Sequence, residues 1–163
     1  MVSCLHTDFE KVYDEYSDML YRIALTHTAN QHDAMDVVQD VFVKYATLKK
    51  TFDDASHLKA WLIRVTVNRA HDLFRKNKVR SYTPLEEVYD LPECENNLSL
   101  AVREMLEALP EKYKTVLVLY YFEGFSVEET AAILELSVSA VKMRLSRARE
   151  ILNVSHKLED FYE

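Results

Sequence analysis

A short segment near the C-terminal end of the sequence is rich in side chains that can bind nucleic acid. Residues 136–150 hold four basic and one acidic side chain, in a chain whose net charge is −7. Lysine and arginine donate hydrogen bonds to phosphate oxygens and to the guanine edge in the major groove. The basic residues are Lys142, Arg144, Arg147 and Arg149. Their concentration makes this segment a candidate for DNA contact.

The same segment has the spacing of an amphipathic helix, with apolar residues on one stripe and polar residues opposite. The stripe consists of Val138, Val141, Leu145, Ala148 and Leu152. The opposite side presents Ser139, Met143, Ser146 and Arg147, flanked by Lys142 and Arg144. Such a helix can be anchored on one side while the other enters a major groove. The alternative is a solvated basic face in a small bundle.

The residues before this helix favour DNA contact over that alternative. Ser126 and Glu129 form a capping-box pattern for a helix that ends near Leu134. A three-residue turn, 135–137, then leads into the basic helix. A short helix, a tight turn and a basic second helix have the order of a helix-turn-helix.

A second cationic segment lies in the N-terminal half. Residues 61–80 hold six basic side chains and one acidic side chain. Ser56 is predicted to cap the helix that carries them. One stripe of that helix consists of Arg64, Asn68, His71 and Arg75. We interpret this stripe as a surface for a nucleic-acid backbone. For His71, a solvated surface position is as compatible with the spacing as a nucleic-acid contact. For Trp61, we favour packing in the core.

An acidic cluster lies further towards the N-terminus, where Asp36, Gln39 and Asp40 share one helix face. Paired carboxylates can bind metals or transfer protons. No third ligand is placed nearby, and His32 is expected in a loop, so an enzyme centred on this cluster is not favoured. The default interpretation is a solvated helix face without a binding role. The more specific interpretation is a polar surface on which a partner docks. We predict no catalytic residue, metal or cofactor.

The composition predicts the fold class. One glycine and three prolines among 163 residues leave little for tight turns, and the hydrophobic fraction of 48% can supply cores. We therefore expect an all-α fold. Residues 81–98 are acidic and contain two prolines, so they are predicted to link a domain of residues 1–80 to a domain of residues 99–163.

The distribution of charge and cysteine predicts the setting. Two cationic segments in an acidic chain suggest DNA contact at two places, with help from a partner, because the acidic remainder weakens unaided binding. The two cysteines have no metal-like spacing, which favours a reduced cytoplasmic location. No signal peptide or membrane-spanning stretch is expected.

Three segments together resemble the extracytoplasmic-function (ECF) sigma factors of bacterial RNA polymerase. DAMDVVQDVF (33–42) resembles the region 2 signature of that family, and AWLIRVTVNRAHDLFRK (60–76) resembles its Trp-Leu, Arg-Ile and Asn series. Residues 109–152 resemble region 4 without a gap. The resemblance implies a subunit that confers promoter specificity without catalysis. It also implies three partners: core RNA polymerase, promoter DNA and an anti-sigma factor.

The resemblance implies roles for individual residues as well. The face of Asp36, Gln39 and Asp40, with Phe42 of the same motif, would dock on the clamp helices of the largest polymerase subunit. Residues 53–58 would form a loop that captures a base flipped from the −10 element. The implied −10 contacts are Asp53, Asp54, Ser56, His57, Leu58, Arg64, Asn68, Arg69, Arg75, Lys76 and Arg80. The implied −35 contacts are Ser139, Lys142, Met143, Arg144, Arg147 and Arg149.

Three positions depart from the family pattern. Glu135 stands in the turn where glycine is frequent, so its backbone must reach a tight conformation with a side chain attached. Met143 replaces a small polar residue and favours apolar contact, such as a thymine methyl, over hydrogen bonding. Leu58 replaces an aromatic residue of some relatives, which weakens stacking on a flipped base. The alternative function is an autonomous helix-turn-helix regulator that binds operator DNA without polymerase.

Overall fold

The chain folds into two helical units. The computed structural model describes residues 2–28, 30–48, 51–80 and 100–152, and these ranges contain helices and turns without a strand. The units are Met1–Asn97 and Leu98–Glu163. The predicted all-α fold with two helical domains is thereby confirmed, while the predicted linker lies outside the described residues. Among the described helices, none is both long enough and apolar enough to cross a bilayer.

The first unit is a bundle of three helices, α1 (Val2–Thr28), α2 (Gln31–Thr47) and α3 (Ala55–Arg80), each packed against the other two. All three helices contribute large aliphatic side chains to its core. The fully buried ones are Leu20, Ile23, Val37, Val41, Leu62 and Ile63. Each buried aliphatic side chain of this size stabilises a fold by about 1.5–3 kcal/mol. This core fixes which faces of α2 and α3 are left for other contacts.

The cap of α3 is Asp54, so the prediction of Ser56 was wrong. The helix begins at Ala55, and the backbone N–H of His57 donates to Asp54 Oδ1 over 2.9 Å. Serine and aspartate are both good caps, but the Asp54 carboxylate also complements the positive end of the helix dipole. Residues 55–58, expected in a loop, therefore form the first turn of α3.

The second unit contains the predicted helix-turn-helix. Its elements are α4 (Leu100–Glu107), α5 (Glu111–Leu117), a π-helical turn (Val118–Phe122), α6 (Val127–Leu134) and α7 (Val138–Leu152). The capping box at Ser126 and Glu129 is confirmed, with both reciprocal hydrogen bonds present. The core between α5, α6 and α7 consists of Val116, Ala131, Val141 and Leu145. It fixes the orientation of α7 within this unit.

The turn between α6 and α7 depends on a left-handed residue. Glu135 has φ 56° and ψ 42°, and among the described residues it alone combines a side chain with a positive φ. The N–H of Leu136 donates to the carbonyl of Ala131 over 2.9 Å, which closes the end of α6. Ser137 then caps α7 by accepting from Ala140 N over 3.1 Å. The tight conformation expected of Glu135 is confirmed.

We expect Glu135→Gly to stabilise the second unit by about 0.5–1 kcal/mol, because glycine adopts the left-handed conformation without steric cost. For a domain of this size, the melting temperature of the second unit within the full chain should rise by about 2–8 °C. Thermal unfolding followed by circular dichroism measures this. Glu135→Ala is the control, since it keeps a Cβ atom at the strained position. An equal rise in both variants would contradict the assignment of strain.

Candidate nucleic-acid interface

Helix α7 separates a buried side from an exposed side. Val141, Leu145 and Ala148 are buried and form what we call the buried stripe of α7. Val138, predicted to belong to this stripe, is exposed at the first position of the helix. The opposite side is exposed along its whole length and forms what we call the recognition face. It consists of Ser139, Met143, Ser146 and Arg147.

The cations of α7 fall into two groups. In the part of the chain that the structure describes, the side chains of Lys142 and Arg144 make no hydrogen bond or ion pair. Arg147 pairs with Glu150 at 3.1 Å, and Arg149 donates from Nε to the carbonyl of Leu145 at 3.3 Å. An exposed pair such as Arg147–Glu150 contributes only about 0–1 kcal/mol, so a phosphate can replace the carboxylate. Lys142 and Arg144 are thus available to bind phosphate, and Arg147 becomes available when its ion pair with Glu150 opens.

The start of α3 presents a small polar surface. Asp53, Asp54, Ser56 and His57 are exposed, and Leu58 is half-buried. The imidazole Nδ1 of His57 lies 3.4 Å from Asp54 Oδ1, in addition to the capping hydrogen bond to the same carboxylate. The predicted −10 residues of this segment are therefore brought together on the surface. One carboxylate oxygen of Asp54 already accepts the hydrogen bond that caps the first turn of the helix.

Aromatic rings anchor the loop before α3. The Phe52 ring lies 5.6 Å from the Trp61 ring, which in turn lies 6.3 Å from Tyr45 on α2. Trp61 is half-buried between them, as expected from its interpretation as a packing residue. Such ring pairs add about 0.5–1.5 kcal/mol beyond the area they bury. The loop is thus attached to the bundle through Phe52, while Asp53 and Asp54 face outward.

The remaining predicted −10 residues lie along α3 in different environments. Asn68, Arg75 and Lys76 are exposed, Arg64 is half-buried, and the side chain of Arg80 lies outside the described part of the structure. Arg75 and Lys76 make no side-chain hydrogen bond or ion pair within the described ranges. Arg69 Nε donates to Asp40 Oδ2 on α2 at 2.8 Å. The basic half of the helix thus presents two cations directly and holds a third in an ion pair.

His71 does not join the exposed stripe on which the spacing placed it. Its half-buried ring packs edge-on against His27 of α1, with 4.9 Å between ring centroids. The solvated surface position considered for His71 is therefore wrong, and the nucleic-acid contact of this residue stays a prediction. The sequence does not show that a second histidine faces this position across the α1–α3 contact.

The acidic face of α2 combines exposed polar and exposed apolar side chains. Asp36 and Gln39 are exposed, and His32 Nε2 lies 3.8 Å from Asp36 Oδ2. Met35 and Val43, which our sequence reasoning missed, are 46% and 63% exposed. Exposed apolar residues rimmed by polar ones are typical of protein interfaces. The helical spacing of residues 35, 39 and 43 places Met35 and Val43 on the same side of α2 as Gln39. This spacing could have identified both residues from the sequence.

Phe42, predicted to dock with the acidic residues, requires a correction. It is only 4% exposed and packs against two rings of α1, with its centroid 4.8 Å from Tyr13 and 6.0 Å from Phe9. A side chain buried in this way supports the helix from beneath and is not part of its outer surface. We assign Phe42 to the core of the first unit.

Two polar contacts that the sequence did not predict join α2 to α3. The first is the Asp40–Arg69 pair, and the second is a hydrogen bond from Asn77 Nδ2 to Asp33 Oδ2 at 2.8 Å. Asp33 also accepts from Asn30 Nδ2 at 2.6 Å, at the cap of α2. These contacts fix the basic end of α3 alongside the start of α2. They therefore position Arg75 and Lys76.

Comparison with known proteins supplies the family. The Sigma-70 region 2 model matches residues 12–80, and the Sigma-70, region 4 model matches residues 99–152. The chain is 30% identical over 148 residues to RNA polymerase sigma factor SigV of Bacillus subtilis, with 90% of this chain and 89% of SigV covered. It is 31% identical over 161 residues to ECF RNA polymerase sigma factor SigW of the same organism, with 88% and 86% covered.

A solved structure agrees with these sequence matches. The chain resembles the sigma factor RpoE from Bartonella quintana, crystallised with the anti-sigma factor NepR. The TM-score is 0.68 at 28% identity, with 89% of this chain and 94% of that chain covered. Matches to both sigma regions and to relatives along nearly their whole length leave one assignment: this chain belongs to the ECF sigma factors of RNA polymerase.

Proposed function

We propose that the chain directs core RNA polymerase to promoters through two separate DNA-binding surfaces. Residues 1–80 dock on the core enzyme and open the −10 element, residues 99–163 bind the −35 element, and residues 81–98 connect them. The observation that carries this proposal is the same in both units. Each has a helix that is buried on one side and presents cations without partners, within the described ranges, on another side.

Docking on the polymerase is assigned to the outer face of α2. Asp36 and Gln39 supply polar groups to this face, and Met35 and Val43 supply apolar area. A basic, partly apolar surface on the polymerase would complement it, since complementary charge steers encounter and fixes register. Asp40 lies at the border of this face and is shared with Arg69. Phe42 supports the face from inside the bundle.

The −10 element is assigned to the start and the exposed side of α3. The polar surface at residues 53–58 would receive a flipped base, whose unstacking costs a few kcal/mol that contacts in the pocket must offset. Asn68 lies further along the same helix and is exposed. Arg75 and Lys76 would hold the phosphates of the strand beside the opening. Arg69 would join them when its pair with Asp40 opens.

The −35 element is assigned to the recognition face of α7, with Lys142 and Arg144 on its flanks. Flanking cations contact phosphates and fix the helix in the groove, whereas the outermost side chains meet base edges. Arg149 would add a backbone contact near the end of the helix. Because the two units are tethered, binding by one raises the effective concentration of the other at the promoter.

The charge of the chain favours control by partners. A net charge of −7 weakens binding to free DNA, so the cationic surfaces act once the core enzyme has positioned them. Bond formation then belongs to the polymerase, and this chain acts in the cytoplasm without a catalytic residue, cofactor or metal. The likeness to a sigma factor crystallised with an anti-sigma factor supports an inhibitor protein as a further partner.

Run-off transcription with purified core polymerase on genomic fragments tests this function. Specific transcripts should appear only when the chain is added, and the chain alone should not shift duplex DNA at physiological salt. Tight, specific binding by the chain alone, without specific transcripts, would instead establish an autonomous helix-turn-helix regulator. The family membership of the chain does not favour that outcome.

A further inference from the structure

Met143 is an exposed apolar residue of the recognition face. Its side chain is 62% exposed and lies on the side of α7 opposite the buried stripe. Ser139 and Ser146 are its neighbours one turn before and one turn after it, and both are short. On the face that is free to enter a groove, the methionine side chain therefore extends beyond these two serines, and Arg147 is the other long side chain of that face.

Its surroundings distinguish Met143 from an ordinary exposed apolar residue. Single exposed apolar side chains are common and need no function. Met143, however, lies between Lys142 and Arg144, whose side chains make no hydrogen bond or ion pair in the described part of the chain. Cations on the two flanks of a helix reach phosphates on the two sides of a groove. The residue between them is then directed at the bases.

We propose that Met143 reads the C5-methyl group of one thymine in the −35 element, an inference that rests on the proposed function. The thymine methyl is the apolar group that a base pair presents in the major groove. A thioether is only a weak acceptor and has no donor, so it cannot satisfy the polar edges of other base pairs. Opposite those pairs, Met143 would displace water without replacing its hydrogen bonds, which disfavours binding.

Deoxyuridine tests this proposal because it lacks only the methyl group of thymine. Each thymine of the −35 element is replaced singly by deoxyuridine in a promoter fragment that the run-off experiment has identified. Binding is then measured with the holoenzyme assembled from core polymerase and the full chain. At one position, the replacement should weaken binding about three- to tenfold, the effect of one methyl group. The same replacement should have no effect with the Met143→Ala chain.

The Ile151→Ala chain is the matched control. Ile151 is a similarly exposed apolar residue on the same helix but lies outside the recognition face, so the deoxyuridine effect should persist in that variant. The inference is overturned if no thymine shows the effect, or if the effect remains undiminished in Met143→Ala, while transcription stays specific. Absence of specific transcription would overturn the proposed function and this inference together.

Discussion

The Asp36→Lys chain should bind core RNA polymerase at least about thirtyfold more weakly than the natural chain. Removing one partner of a charge pair at an interface costs about 2–5 kcal/mol, and reversing its sign adds repulsion. Asp36 is exposed on the outer face of α2, where His32 Nε2 lies 3.8 Å from its carboxylate. The affinity for fluorescently labelled core enzyme measures this change directly.

Asp36 is a cleaner probe than Asp40, because a change of Asp40 also releases Arg69 from its ion pair. The control is Asp18→Lys, which makes the same change of charge on the surface of α1. It should bind core enzyme within about twofold of the natural chain, and both variants should keep the natural helical content because surface substitutions rarely exceed about 0.5 kcal/mol. If Asp18→Lys weakened binding as much as Asp36→Lys, overall charge and not the α2 face would govern docking.

Leu145→Ala should destabilise the second unit by about 2–5 kcal/mol, since it removes a fully buried side chain and leaves a cavity. Leu145 is 1% exposed and belongs to the core that joins α5, α6 and α7. A small helical unit has only a few kcal/mol of stability to lose. The unit should therefore unfold in large part at 37 °C, and transcription that requires the −35 element should fall with it.

Met143→Ala provides the comparison on the same helix. It also shortens a long apolar side chain, but that side chain is mostly exposed, so the change in stability should stay within about 0.5 kcal/mol. Urea unfolding of both full-length variants, followed by circular dichroism, measures the difference. Equal losses of stability would mean that the buried stripe and the recognition face of α7 have been assigned incorrectly.

Local sequence patterns predicted the helix-turn-helix well. Ser126 and Glu129 form their capping box three residues apart, and Glu135 and Ser137 lie next to the helices that they end and begin. Interactions over such short separations depend little on the rest of the fold. Helical spacing also predicted the buried residues Val141, Leu145 and Ala148 and the exposed recognition face of α7, whereas Leu152 of the predicted stripe is half-buried.

Local patterns failed where two signals competed or where another helix decided the outcome. Asp54 and Ser56 are both suitable caps, and the sequence did not show which one the chain would use. Phe42 follows directly after the exposed residues of its motif, yet it is buried because Phe9 and Tyr13 of α1 lie against it. His71 fits an exposed stripe by spacing but packs on His27.

By itself, the sequence determined the all-α class, the two cationic segments, the acidic helix and the family, because composition, helical period and motif spacing are properties of residues near one another in the chain. Only the tertiary structure decided that Asp40 holds Arg69, that Asp33 holds Asn77 and that Met35 and Val43 stay exposed. These outcomes depend on which side of α2 faces α3. The side of α2 that faces α3 is set by burial of the core that α1, α2 and α3 share. It therefore cannot be predicted from the sequence of one helix alone.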